Sequence, residues 1–302
     1  MARDLARQLR ICYPPDPNPK TPAFKTPPGT CDTHFHVFGP PEKFPYSDQR
    51  VYTPPAAPFE HYMAMAGIVG IHRGVVVTPM AHGTDNRATL DAVARSGGKL
   101  LGMAKIDDSF TDKALRDLHE KGIRGVRFNL IEESGGAVNL PLFERIAARI
   151  NDLGWCMCFH VKPDEMMDHF DWFGTLPTKV IIDHICRIEY ECGTSQKAFQ
   201  RLLDLMKNEK MWLKISGADR QKSRGFPMED VIPYTVALAE VVPDRLIWGT
   251  DWPHGNIFKP NSIPNDGDLI DILPKLVPDA AVLKKILVDN PARLFGFDRT
   301  NP

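Results

Sequence analysis

The chain has 302 residues, of which 43% are hydrophobic, so it can bury the core of one large domain or two small ones. Its formal net charge of −1 gives no bulk field that would attract nucleic acid or a membrane surface. No apolar run approaches the roughly 18 residues of a membrane-spanning helix, and residues 1–6 lack the apolar core of a signal peptide.

The six cysteines are scattered along the chain and include no Cys-x-x-Cys pair. This number is too small for a disulfide scaffold, so we expect reduced thiols in a cytoplasmic protein. Cys156 and Cys158 share one face of a predicted strand, and we expect them to be buried core thiols rather than metal ligands.

The first 30 residues contain seven prolines and differ in composition from the rest of the chain. Proline fixes φ and removes a backbone donor, so residues 1–30 are predicted to form an extended arm. We expect the arm to lie over the main domain or over a neighbouring subunit, which makes a homodimer plausible. Residues 31–302 are expected to form a single domain.

From residue 31 onward, short β-branched runs alternate with amphipathic stretches. The runs predict strands, and the stretches between them predict helices. The predicted strands are 31–38, 73–78, 100–106, 123–128, 155–161, 179–184, 211–216 and 245–250. The predicted helices are 57–68, 85–97, 111–122, 140–152, 164–173, 195–207, 228–241, 266–275 and 279–287.

The spacing of these elements is typical of βα repeats. Runs such as Gly74-Val75-Val76-Val77 are continuously apolar, as parallel strands buried on both faces should be. The sequence therefore predicts an α/β protein with a (β/α)8 TIM barrel, and a doubly wound open sheet is the alternative. In a barrel, chemistry gathers at the carboxyl ends of the strands.

The first and the last strand of the predicted barrel both carry polar groups at their carboxyl ends. His34 and His36 are two residues apart in an apolar run, so their imidazoles point to the same face. Asp251 ends the last predicted strand. A barrel brings its first and last strands together, so these groups are expected to form one site that can hold a metal ion or grip a substrate oxygen.

Other strand ends add histidines and arginines to the same predicted face. His160 ends the fifth strand and His184 ends the sixth, in a chain with only ten histidines. His82 follows the second strand and is a weaker candidate. The arginines near strand ends, which suit acidic substrate groups, are Arg127, Arg187 and Arg220.

These motifs resemble the amidohydrolase superfamily, in the branch that opens lactones of the 4-sulfomuconolactone and 2-pyrone-4,6-dicarboxylate type. The likeness extends over most of residues 28–298 and is strongest where the His-x-His joins the strand-6 histidine and the final Thr-Asp-Trp-Pro. The matching runs are Asp32-Thr33-His34-Phe35-His36-Val37-Phe38, Arg50-Val51-Tyr52-Thr53-Pro54, His82-Gly83-Thr84-Asp85-Asn86-Arg87, Gly249-Thr250-Asp251-Trp252-Pro253-His254 and Asp289-Asn290-Pro291-Ala292-Arg293-Leu294-Phe295-Gly296.

The resemblance implies a hydrolase that opens the lactone ring of a small anionic substrate from aromatic-compound degradation. It implies one zinc ion per chain, held by His34, His36, His160 and Asp251. Binuclear members usually carry a bridging lysine or glutamate near strand 4, where this chain has Arg127. A metal-free version, in which the histidines polarise the carbonyl directly, uses the same residues.

In this interpretation, Asp251 is the general base and His184 hydrogen-bonds the substrate carbonyl. The substrate-binding candidates are Arg127, Arg187, Arg220, Tyr52 and His82. Three alternatives stay open at this stage: a zinc-dependent decarboxylase of the same superfamily, a lactone isomerase, and a non-catalytic binding barrel.

Overall fold

A computed structural model describes residues 9–218, 228–259 and 261–297. Its core is a sheet of eight parallel strands in sequential order, which confirms the predicted TIM barrel. The strands are β1 (Cys31–Phe35), β2 (Arg73–Val77), β3 (Leu100–Ala104), β4 (Ile123–Asn129), β5 (Cys156–His160), β6 (Lys179–Ile182), β7 (Met211–Lys214) and β8 (Leu246–Ile247).

Helices cover the outside of the sheet and pack their apolar faces on it. In the described residues the α-helices are α1 (Phe59–Val69), α2 (Arg87–Arg95), α3 (Asp112–Glu120), α4 (Leu140–Asn151), α5 (Pro163–Asp168), α6 (Phe170–Thr175), α7 (Lys197–Leu205), α8 (Ile232–Val241), α9 (Asp266–Asp271), α10 (Leu273–Leu276), α11 (Ala280–Lys284) and α12 (Asn290–Phe295). Within the described part of the chain, no helix is long and apolar enough to cross a bilayer.

Three predicted helices and one predicted strand are interrupted in the structure. The helix expected over 164–173 is divided into α5 and α6 at His169, and the one expected over 266–275 is divided into α9 and α10. The last predicted helix, 279–287, is α11 followed by a π-helical turn, Lys285–Asp289. The strand expected over 245–250 ends at Ile247, and the chain beyond it is bonded to β1 without regular strand structure.

Inward-facing side chains of the strands fill the lower half of the barrel. This inner layer consists mostly of small and branched groups, and it contains the thiols of Cys31, Cys156 and Cys158. All six cysteines are free, and only Cys192 is exposed. The expectation that Cys156 and Cys158 are core thiols is therefore confirmed.

Hydrogen bonds between the first strand and the segment after β8 close the barrel. Thr33 N donates to Trp248 O at 2.9 Å, Asp251 N donates to His34 O at 2.8 Å, and His36 N donates to Trp252 O at 2.8 Å. The closure therefore runs through the His-x-His motif and through Asp251. The two motifs that the sequence singled out lie together because they form the seam of the barrel.

Residues 9–30 run without helix across the outside of their own barrel, where one isolated bridge pairs Ile11 with Thr53. Tyr13 N donates to Ile257 O at 3.0 Å, and Phe24 N donates to Asp271 Oδ1 at 2.9 Å. The arm thereby contacts the loop that follows β8 and helix α9.

Candidate active site

Three ligand atoms meet at the seam of the barrel. His34 Nε2 lies 3.3 Å from His36 Nε2, and Asp251 Oδ1 lies 3.5 Å from the first and 3.6 Å from the second. All three side chains are buried. A tetrahedral zinc ion with bonds of about 2.1 Å has ligand atoms about 3.4 Å apart. The triangle therefore has the size that a single metal ion requires.

The ring of His36 is oriented by a backbone carbonyl. His36 Nδ1 lies 2.7 Å from Val77 O, and a carbonyl oxygen can only accept a hydrogen bond. The ring proton is therefore assigned to Nδ1, which leaves the lone pair of Nε2 facing Asp251 and His34. This arrangement is the usual support for a metal-binding imidazole.

A buried ionic cluster, formed by Arg127, Asp183 and Lys214, lies against the other side of His34. Lys214 Nζ is 2.8 Å from Asp183 Oδ1 and 2.9 Å from His34 Nδ1, and Arg127 Nε donates to Asp183 Oδ2 at 2.7 Å. Asp183 and Lys214 are fully buried. Burial alone would raise the pKa of Asp183, but the nearby charges of Lys214, His34 and Arg127 hold it well below its ordinary value.

His160 and His184 face each other across the cavity, with ring centroids 5.4 Å apart. Burial lowers the pKa of His184 to about 4 and the pKa of His160 well below its ordinary value. Both imidazoles are therefore neutral near pH 7. His184 Nδ1 is 2.9 Å from Ser216 Oγ, whereas His160 Nε2 is buried without a hydrogen-bond partner among the described residues.

The turn that carries His184 and Arg187 has an unusual backbone. Residues 184–187 all have φ between 49° and 54°, and Asp251 has φ of 61°. Non-glycine residues rarely occupy this left-handed region, which costs about 1–2 kcal/mol per residue. Such conformations concentrate at functional sites, where the surrounding structure holds them.

These groups line a cavity of about 250 Å³ at the carboxyl end of the barrel. The cavity brings together most of the site residues that the sequence predicts. His34 does not line it and lies beneath its floor. His82 lies elsewhere: it lines a neighbouring cavity, and its Nδ1 is 3.2 Å from Pro45 O. Arg220 lies outside the described residues. The predicted residues on the cavity wall are His36, Tyr52, Arg127, His160, His184, Arg187 and Asp251.

Sequence reasoning missed Asp183 and Lys214, which the structure places beneath the cavity. Each stands at an inward-facing position at the end of an otherwise apolar strand run, in Ile181-Ile182-Asp183 and Trp212-Leu213-Lys214. Charged residues are almost never fully buried unless they are paired. An acid and a base at equivalent depths of neighbouring strands were therefore a signal of this buried pair.

The barrel fold and the cluster of histidines and Asp251 are typical of a hydrolase site. Comparison with known proteins shows which family the chain belongs to. The chain belongs to the amidohydrolase family, whose model matches residues 31–297. The family expected from the sequence motifs is thus confirmed, and with it the expectation of an enzyme.

Several known proteins are similar to this chain over nearly its whole length. A 4-sulfomuconolactone hydrolase of Rhizobium radiobacter is 46% identical over 91% of this chain and 92% of its own. A 2-pyrone-4,6-dicarboxylate hydrolase of Comamonas testosteroni is 38% identical over 92% of this chain and 93% of its own. An apo structure from Agrobacterium tumefaciens, 27% identical, superposes with a TM-score of 0.82 over 92% of this chain and 99% of that chain.

Proposed function

We propose that this enzyme hydrolyses the lactone ring of a small anionic substrate of the 4-sulfomuconolactone or 2-pyrone-4,6-dicarboxylate type. The observation that carries the proposal is the position of Asp251, a buried carboxylate beside two imidazole nitrogens in a cavity that Arg127 and Arg187 also line. The names of the two relatives support the choice of a lactone.

Asp251 acts as the general base in this mechanism. It takes one proton from the attacking water, whose oxygen forms a bond to the acyl carbon of the lactone. The bond between the acyl carbon and the ring oxygen then breaks, and Asp251 returns the proton to that leaving oxygen. General acid–base catalysis of this kind typically contributes about 10²–10⁴ in rate.

The neutral imidazole of His184 stabilises the negative charge that develops on the carbonyl oxygen. Its Nδ1 lies beside Ser216 Oγ, a hydroxyl that can accept or donate, so Nε2 can carry the ring proton as a donor toward the cavity. Donors that are held in place before charge develops cost no reorganisation during the reaction.

Arg127 and Arg187 bind an acidic group of the substrate. Arg127 is fixed through Nε by Asp183, so its planar terminal group is held in one orientation on the cavity wall. A fixed guanidinium matches a carboxylate or a sulfonate through two parallel hydrogen bonds. Tyr52 lines the same wall and adds a hydroxyl donor; Arg220 is proposed as a further contact from the sequence alone.

The residues fit one zinc ion, with His34, His36 and Asp251 as ligands and His160 as the proposed fourth. The triangle of ligand atoms, the orientation of His36 and the unpartnered Nε2 of His160 support this assignment. When bound, zinc supplies a Lewis acid that makes the carbonyl or the water more reactive.

Lys214 gives His34 an alternative role without metal. An ammonium can only donate, so a hydrogen bond from Lys214 Nζ to His34 Nδ1 would place the ring proton on Nε2. His34 would then donate from Nε2 to His36 Nε2, 3.3 Å away, instead of holding a metal ion, and His184 would polarise the carbonyl. The position of this one proton separates the zinc-dependent mechanism from the metal-free one.

The decisive experiment measures metal content and lactonase activity before and after chelation. About one zinc per chain, with activity lost on removal and restored on return, supports the zinc-dependent mechanism. Full activity without metal would instead favour the role of Lys214 and His34 described above. Failure to open either lactone would overturn the proposed function.

Two further assays address the rival reactions. Oxygen uptake from isotopically labelled water separates a hydrolase from a lactone isomerase, which incorporates none. Release of carbon dioxide from an aromatic acid would indicate a decarboxylase. The buried free thiols support the proposed cytoplasmic setting, and light scattering of the purified protein tests the proposed homodimer.

A further inference from the structure

A second cavity, of about 830 Å³, adjoins the catalytic cavity. The two share Met80 and Asn129 as lining residues, so they meet at a common wall. The second cavity lies over the ends of β2, β3 and β4, and the hydrolytic mechanism uses none of the groups that are found only there. We call it the side cavity.

Lys105 is the cationic residue of interest in the side cavity. It follows β3, two positions beyond Met103 of the inner layer, and Ala104 pairs with Val126, so Lys105 stands beside Arg127. Among the described residues no carboxylate lies within ion-pair distance of its ammonium, which contacts Met80 Sδ at 2.6 Å. A desolvated cation next to a second cation is unfavourable unless an anion joins them.

The acid–base property of Lys105 agrees with this geometry. Burial, followed by repulsion from Arg127, lowers the pKa of Lys105 to about 8. A group perturbed in this way within a cleft is a candidate for a functional site. An acidic ligand would favour the charged ammonium and offset the cost of its burial.

The backbone of Lys105 is held by a buried asparagine. Lys105 N donates to Asn86 Oδ1 at 2.8 Å, and Asn86 Nδ2 donates to Lys105 O at 2.9 Å. Thr78 Oγ1 donates to the same Asn86 oxygen at 2.8 Å. These hydrogen bonds fix the backbone from which the side chain of Lys105 enters the side cavity, and binding sites require such support.

The side cavity also contains aspartates, and two of these have partners of their own. Asp85 forms a fork with Arg87, at 2.6 Å to Nη2, and Asp107 Oδ1 accepts hydrogen bonds from the backbone and hydroxyl of Ser109. Asp48 lines the cavity as well. None of the three forms an ion pair with Lys105, which leaves its charge available to a ligand.

We propose that Lys105 binds the second acidic group of a dianionic lactone, while Arg127 binds the first. The inference rests on the proposed lactone hydrolysis and adds the residue that binds the second negative charge of the substrate. Neighbouring strands are about 4.8 Å apart, and the ammonium of Lys105 contacts Met80, which lines both cavities. A ligand at the junction of the two cavities therefore lies between the two cations. Either a carboxylate or a sulfonate supplies the necessary oxygens.

The first test measures the kinetics of the wild type and of Lys105→Met with two lactones. One lactone has two acidic groups and the other has a single acidic group. For the dianionic lactone we expect KM to rise about tenfold or more, with kcat changed less than about threefold, because a charge-assisted hydrogen bond is lost from binding alone. The monoanionic lactone should keep its KM. Lys113→Met, at an exposed lysine of α3, is the matched control and should change neither value. Equal effects on both substrates, or none, would overturn the proposal.

The second test does not depend on catalysis. Equilibrium binding of isophthalate and benzoate, which differ by one carboxylate, is measured for the wild type, Lys105→Met and the charge-preserving Lys105→Arg. We expect the wild type and Lys105→Arg to prefer isophthalate, and Lys105→Met to lose that preference. A preference that persists in Lys105→Met, or is absent in the wild type, contradicts the role of Lys105 even if no lactone is hydrolysed. Lys105→Gln replaces Lys105→Met if the latter fails to fold.

Discussion

Asp251 is both the general base and a proposed zinc ligand, and its amide variant tests these two roles together. Asp251→Asn keeps the size of the side chain but removes the base. We expect kcat to fall by about 10²–10⁴ while KM changes much less. Steady-state kinetics on the lactone would measure both values.

The matched control for this variant is Asp117→Asn. Asp117 is an exposed carboxylate of α3 that pairs with Lys113, so its kinetics should equal those of the wild type. Circular dichroism should show both variants folded. A fully active Asp251→Asn would show that another group takes the proton from water.

A buried hydrogen bond between Asp32 and Thr250 joins the two halves of the seam. Thr250 Oγ1 donates to Asp32 Oδ2 at 2.6 Å and accepts from Trp252 N at 3.0 Å. Thr250→Val keeps the shape and removes both bonds. We expect the free energy of unfolding to fall by about 1.5–3 kcal/mol, because a buried carboxylate loses a donor.

Denaturant unfolding measures this change, and Thr175→Val serves as the control. Thr175 is exposed and donates to a backbone carbonyl within its own helix, so its replacement should cost less than about 0.5 kcal/mol. Equal stability of Thr250→Val and the wild type would mean that the seam does not depend on this hydrogen bond.

At the scale of the element, the segment that follows β8 approaches β1 more closely than a side chain allows. A Cβ placed on Gly249 would lie 2.6 Å from His34 N and 2.8 Å from His34 Cβ. Gly249→Ala must therefore push the two strands apart exactly where the ligand triangle forms. We expect lower stability together with a loss of lactonase activity.

Gly67→Ala is the control for this substitution. Gly67 lies in α1, and a Cβ there would have no neighbour within 4 Å. Alanine in an open helical position should stabilise the protein by about 0.5–1 kcal/mol and leave the activity unchanged. Thermal unfolding and kinetics of both variants would test the contrast. Wild-type activity in Gly249→Ala would show that the seam tolerates the displacement.

The sequence predicts helices and strands well where the apolar residues follow one regular spacing, and less well where the chain turns. All eight strands were recognisable as apolar runs, but the last was placed over 245–250 instead of Leu246–Ile247. An apolar run does not distinguish a strand from an extended segment that leaves the sheet. The turn after it depends on a left-handed Asp251 and on Gly249 in contact with His34, which are tertiary features.

The same limit applies to the candidate site. His34, His36, Asp251, His160 and His184 could be proposed from the sequence because strand ends of a barrel converge. The ion pair of Asp183 and Lys214 was missed, because its signal depends on the register between β6 and β7, which the structure supplies. Lys105 was also overlooked, since its meaning lies in the absence of an ion-paired carboxylate among the described residues around it.

At the scale of the whole molecule, the buried histidines make stability depend on pH. His184 has a pKa of about 4 when folded and about 6.5 when unfolded. Between these values the unfolded chain binds a proton that the native protein does not, so stability falls as the pH falls. From pH 7 to pH 5 this one group accounts for about 2 kcal/mol.

Other groups at the seam act in both directions. The pKa values of His34 and His160 are also lowered by burial, so these residues add to the loss of stability in acid. Burial raises the pKa of Asp32 from 3.8 to about 6. Its carboxyl is therefore protonated more readily in the native protein, and it stabilises the fold as the pH falls from 6 to 3.8. The stability lost at the three histidines exceeds the stability gained at the one carboxyl. The free energy of unfolding therefore falls in acid.

We therefore expect the metal-free protein to unfold at lower denaturant concentration at pH 5 than at pH 7. His184→Asn removes one titrating group, so its stability should decrease about 2 kcal/mol less than that of the wild type over this interval. His61→Asn, at an exposed histidine of α1, should follow the wild type. A pH dependence that is the same in all three proteins would mean that folding does not lower the pKa of His184.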